Sequence, residues 1–153
     1  MRFMVMGKAT VESEGGVLPS TEAMVAMGRY NEELVKAGVL LAADGLHPSS
    51  KGARVLFDGD DRTVVDGPFA ETKELVAGYS ILEVGSLEEA IEWVKRAPNA
   101  SPGLVGEVEI RRIFAPEDFG DIATDEVKGF MDGVGEQGQA DAERYRAEQR
   151  DGD

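Results

Sequence analysis

Apolar residues recur along the first 115 positions in two alternating periods, and each change of period marks an element. Phe3 and Val5 alternate with Met4 and Met6, which predicts a strand over Phe3 to Lys8 that is apolar on both faces and therefore internal to a sheet. Ser20 is a good N-cap residue for a helix running to Ala37, with Met24, Met27, Tyr30 and Leu34 as its buried stripe, Glu32 facing Lys36, and Gly38 at its C-terminal stop. Period two resumes at Val39 to Ala43. Arg54 to Phe57 and Thr63 to Val65, joined through Asp58-Gly59-Asp60-Asp61, form a hairpin with a short acidic loop. Glu74 to Val84 is the longest strand and is again apolar on both faces. Ser86 and Glu89 make a capping box for a helix that buries Leu87, Ala90, Ile91 and Val94 and stops at Pro98. Gly106 to Phe114 is the last strand.

This order is strand, helix, strand, hairpin, strand, helix, strand. It predicts an α+β domain of the ferredoxin-like split βαβ type with an inserted β-hairpin. Two helices cover only one face of such a sheet. Because several strands are apolar on both faces, the other face needs a cover, either a second copy of the chain or the segment after Pro116. A homodimer with sheets packed face to face is the expected arrangement.

Charge divides the 153 residues further. Residues 1–115 hold 18 acids and 12 bases, whereas residues 116–153 hold 12 acids and 4 bases. Beyond Gln137 no apolar side chain is larger than alanine except Tyr145, so burial cannot offset the entropy of ordering that stretch. The chain is therefore read as a domain over 1–115, a docking segment over 116–136 in which Phe119, Ile122, Val127, Phe130, Met131 and Val134 form an apolar face, and an acidic flexible tail over 137–153. The net charge of -14 opposes direct contact with a nucleic-acid backbone or an anionic membrane. With no cysteine, thiol chemistry and cysteine-zinc sites are excluded. No apolar run is long enough to span a membrane, and the first eight residues do not read as a signal peptide, so a cytoplasmic location is expected.

The block Asp66-Gly67-Pro68-Phe69-Ala70-Glu71-Thr72-Lys73-Glu74 resembles the DGPF signature of the YciI-like (YCII-related) family. The resemblance extends from about Met1 to Phe114, through Glu33 to Leu40, Gly45-Leu46-His47-Pro48, Gly78-Tyr79 and Leu87-Glu88-Glu89-Ala90. It implies a dimeric α+β barrel and says little about chemistry, since members are mostly uncharacterised and a few resemble lyases or dehalogenating enzymes. It also implies an aspartate paired with a histidine on the first helix. No histidine lies between Ser20 and Gly38, so only Asp66 maps onto the motif, and His47, the sole histidine, is the substitute from another position.

The block also has a purely architectural reading: Gly67 and Pro68 turn the chain, Asp66 accepts backbone N–H bonds in that turn, and Phe69 plugs the core. In the functional reading Asp66 and His47 share a cleft, where the carboxylate would set the imidazole tautomer and raise its pKa, giving a general acid/base. Arg54, Phe69, Lys73 and Arg112 are then the ligand-binding candidates, the cations suiting a carboxylate. No phosphate-binding glycine loop, histidine pair or calcium-type loop occurs, so neither cofactor nor metal is expected. Two functions remain: a small-molecule-binding protein with cofactor-free lyase or isomerase chemistry, or a non-catalytic ligand-binding or protein-partner module that accompanies sigma-factor-like transcription proteins.

Overall fold

The computed structural model describes residues 1–99, 103, 105–131, 133 and 138. They fall into two compact units, 1–113 and the described residues from 114 onward. In the first, β1 (Arg2–Lys8), β2 (Leu40–Gly45), β5 (Val76–Glu83) and β6 (Val108–Arg112) make an antiparallel sheet in the order β2-β5-β1-β6. Among the described residues β3 (Ala53–Asp58) and β4 (Asp61–Asp66) pair only with each other. β1 and β2 are parallel with β5 between them, and β5 and β6 are parallel with β1 between them. This is the ferredoxin-like order that the element sequence predicts.

The helices are α1 (Val11–Glu14), α2 (Thr21–Lys36) and α3 (Leu87–Val94). In α2 Ser20 Oγ accepts the Ala23 N–H, and the chain leaves the helix through Gly38 at φ 72°, a conformation for which a Cβ would be strained. Ser86 Oγ likewise accepts the Glu89 N–H. The predicted capping box is not closed, because the Glu89 carboxylate takes the Gly85 N–H at 2.8 Å instead of that of Ser86.

Phe3, Val5, Leu34, Val39, Leu82, Val84 and Ala90 form the core between the helices and one sheet face, with Tyr30, Trp93, Val94 and Ile110 packed on it. The predicted helix stripes hold in part. Met27, Tyr30 and Leu34 of α2 turn inward as expected, but Met24 is 63% exposed and Ala23 lies on the inner side in its place. Leu87 and Ile91 are exposed, and α3 packs through Ala90, Trp93 and Val94. Both shifts follow from the short contact each helix makes: the stripe is set by the residues nearest the sheet, not by every apolar residue at helical spacing. Met4 and Met6, which alternate with the buried Phe3 and Val5, lie half-exposed on the helix-free face.

The second unit begins with 3₁₀ turns over Pro116–Ile122, where the Asp118 carboxylate caps the Ala115 N–H at 2.7 Å and the Phe114 and Phe119 rings lie 5.1 Å apart. A helix, α4, follows at 125–131, with Thr124 accepting the Val127 N–H at its start. Val134 and the tail over 137–153, Gly138 apart, lie outside the described residues.

Candidate functional site

β1 and β2 end, and β5 and β6 begin, at one edge of the sheet, and the connections there converge. After β1, the Ala9 N–H bonds the Leu75 carbonyl at 2.9 Å, and Thr10 and Ser13 cap α1 reciprocally. α1 thereby fixes Glu14. Its carboxylate accepts the Ser49 N–H at 3.1 Å and the Ser49 hydroxyl at 2.5 Å. Ser49 Oγ in turn accepts the Phe69 N–H at 3.1 Å. The Ser49 carbonyl presses on Gly67, where a Cβ would stand 1.8 Å from the oxygen, so the position admits only glycine. The Gly67 N–H bonds the Gly52 carbonyl at 2.9 Å, and the Gly67-Pro68 peptide is cis. Three segments, α1, the 47–52 corner and the DGPF turn, are therefore joined through one serine that sequence reasoning passed over. The partners of Ser49 lie 35 and 20 residues away, and no local pattern links them.

Asp66 does not play the architectural part expected of it. The amides of the turn are taken by Gly52 and Ser49, and the exposed Asp66 carboxylate has no hydrogen bond or ion pair among the described residues. Phe69 is half-buried and outside the core. The Arg54 guanidinium lies 4.0 Å from the centre of its ring, a cation–π contact, instead of a hydrophobic plug. His47 is exposed two residues before Ser49, and no hydrogen bond joins it to Asp66. Lys73 is exposed on a 3₁₀ turn, Thr72–Glu74, just after the motif. Arg112 is elsewhere. It pairs opposite Phe3 at the far end of β1, in a different sheet from Arg54, so the structure does not bring these two candidates onto adjoining strands.

The helix-free sheet face carries a polar row that the sequence did not single out. Asp44, Tyr79, Met6 and Glu109 are aligned across four strands. The Tyr79 hydroxyl donates to the Asp44 carboxylate at 3.1 Å, and this bond with the adjacent negative charge raises the phenol pKa. Lys8, only 17% exposed, pairs with Glu109 at 2.7 Å and holds its carboxyl below the usual range. In the sequence only Lys8 is visible as a polar residue on the parity of Met6 within one strand, because Asp44 joins the row through the irregular pairing of β2.

A concavity lies on the helix side, lined by Ala26, Arg29, Tyr30, Glu33, Arg96 and Pro98. Its main polar groups are engaged: Tyr30 donates to the Trp93 carbonyl at 3.0 Å, and Arg96 pairs with Glu33 at 2.6 Å while stacking on Trp93. Among the described residues no three acidic or imidazole groups converge as metal ligands, and no helix is long and apolar enough to cross a membrane.

Comparison with known proteins places the chain. The YCII-related domain matches residues 1–114. The chain belongs to the YCII-related family. Within reach of this YCII-related chain is an uncharacterized protein, R00369, of Rhizobium meliloti (strain 1021), 36% identical over 85 residues, which cover 56% of this chain and 68% of that protein. A solved structure, 5-chloro-2-hydroxyhydroquinone dehydrochlorinase (TftG) from Burkholderia phenoliruptrix AC1100 in complex with 2,5-dihydroxybenzoquinone, is 18% identical. The alignment covers 74% of this chain and 94% of that one, with a TM-score of 0.43.

Proposed function

We propose that the YCII-related domain binds a small organic anion at the loop end of its sheet and moves a proton on it without a cofactor, His47 and Asp66 acting as acid and base. The observation that carries this reading is the Ser49 junction. It clamps the segment bearing His47 to the turn bearing Asp66 while engaging neither side chain. A scaffold that satisfies its own amides through Ser49 and Gly52 leaves the signature carboxylate available for a ligand, and the loops where it sits are the usual place for such groups. Arg54, steadied on Phe69, and Lys73 supply positive charge for a carboxylate or phenolate. Arg112, at the other end of the sheet, has no part in it. Lyase or isomerase chemistry is the matching reaction class. The protein works in this reading as a cytoplasmic homodimer, covering Met4, Met6 and Ile81 of the open sheet face.

The test is the position of the His47 ring signals, followed by NMR in the native chain and in Asp66→Asn. Paired through a water, the imidazole senses the carboxylate directly, so the substitution moves its ring signals. Unmoved signals remove the dyad. They then favour the second reading, a non-catalytic binding or protein-partner module, for which the exposed β3–β4 hairpin supplies an apolar surface. Any link of that module to transcription runs through a protein, because the net charge opposes nucleic acid.

A further inference from the structure

Every residue of the hairpin β3–β4 is exposed on both faces, including Val55, Leu56, Phe57 (73%), Val64 and Val65. An isolated two-stranded hairpin is marginal in water, and this one offers two unpaired edges as well as apolar faces. Its hydrogen bonds show which groups of β3 point outward. The Gly67 N–H bonds Gly52, and cross-strand partners run from Ala53↔Asp66 to Asp58↔Asp61. Positions 52, 54, 56 and 58 therefore bond inward, and 53, 55 and 57 present N–H and C=O to the free edge.

We infer that β3 pairs antiparallel with β3 of a second copy about a two-fold axis at Leu56. In this register Val55 meets Phe57 of the partner subunit in a hydrogen-bonded pair. Leu56 faces its own counterpart, and Arg54 faces Asp58 of the partner subunit, both in the closer, non-hydrogen-bonded pairs. The strand Arg54-Val55-Leu56-Phe57-Asp58 is complementary to itself: opposite charges flank three apolar residues symmetrically, a property that only an isologous contact uses. β4 has a similar spacing in Arg62 and Asp66, but the Arg62 guanidinium is already bonded to the Gly59 and Asp61 carbonyls, and the apolar run there is shorter. Since Arg54 also lies on Phe69, the pairing places Asp58 of the partner subunit beside a cation of the loop-end site, so the second copy helps to orient that guanidinium and sets how much of its charge is left for a ligand.

The inference rests on the homodimer proposed above but names a different contact from the sheet face, and the test separates the two. Dimer dissociation constants are measured by sedimentation on the full chain. Arg54→Asp and Asp58→Arg each place like charges opposite one another twice across the axis and should weaken the dimer at least about tenfold. The double variant restores opposite charges and should return to within about threefold of the native chain. Val55→Pro removes an outward N–H while leaving the inner ladder intact, and it should weaken the dimer comparably. Single variants as tight as the native chain, a double variant no tighter than the singles, or loss and rescue seen only with Arg62 and Asp66 would overturn the β3 pairing while leaving a sheet-face dimer standing. A native chain that stays monomeric at every concentration removes both.

Discussion

Ser49 uses its amide, hydroxyl and carbonyl on three different neighbours, so its replacement tests the loop junction at one stroke. Ser49→Ala leaves the Phe69 N–H and part of the Glu14 carboxylate unsatisfied, and about 1–3 kcal/mol of stability should be lost, read by urea unfolding. Gly67→Ala should cost at least as much, since its methyl would have to displace backbone that Glu14 holds in place. Titration supplies a separate check on the polar row. In Asp44→Asn the Tyr79 phenol should ionise at lower pH than in the native chain, followed by tyrosinate absorbance, because the carboxylate that disfavours the phenolate is gone. The linkage has opposite signs at the two ends of the row. The raised Tyr79 pKa means that its contribution is present below the unfolded phenol pKa and lost as pH rises through the folded one. The lowered Glu109 pKa means that its contribution is present above the unfolded carboxyl pKa and lost as pH falls through the folded one. At this scale the candidate site was only half legible: the DGPF block and the single histidine stand out as letters, but Ser49, Glu14 and Asp44 acquire meaning only from contacts between distant segments.

The main strands and helices were legible because burial on one side imposes a period, and the β3–β4 turn because Asp58-Gly59-Asp60-Asp61 allows little else. α1 was not, since four residues are too few to show a period, and its stability rests on Thr10 and Ser13. Nor was the exact buried stripe of α2. Leu34→Ala should therefore cost about 2–5 kcal/mol and Met24→Ala almost nothing, a contrast that periodicity alone would not predict and that chemical denaturation can measure. β2 adds a feature that no pattern revealed. Leu40 pairs with Leu82 and Ala42 with Ile81, so Leu41 is an extra residue that reverses the parity of everything after it. Without that bulge Asp44 would point toward the helices, as a carboxylate against the core, and Tyr79 would lose its acceptor.

For the molecule as a whole, the four-stranded sheet leaves Met4, Met6, Ile81 and Tyr79 half-exposed on its open face, and light scattering should return about twice the 16.4 kDa chain mass. Cutting the chain at Pro116 should lower the melting temperature, whereas removing 137–153 should not, because the large apolar residues end at Val134, Tyr145 apart. The topology carries one more consequence. Gly45 and Gly78 are Cα partners, and the Leu46 N–H still reaches the Ala77 carbonyl at 2.8 Å, so the chain leaves the sheet and re-enters it at the same spot. Everything between, the corner, the hairpin and the DGPF turn, is one long excursion, and none of its residues belongs to the core cluster. Seen that way, residues 47–75 are a cassette mounted on a scaffold that does not depend on them to pack. A short turn in their place should leave the four-stranded domain folded but without the proposed ligand site, and circular dichroism read beside ligand binding would separate the two effects.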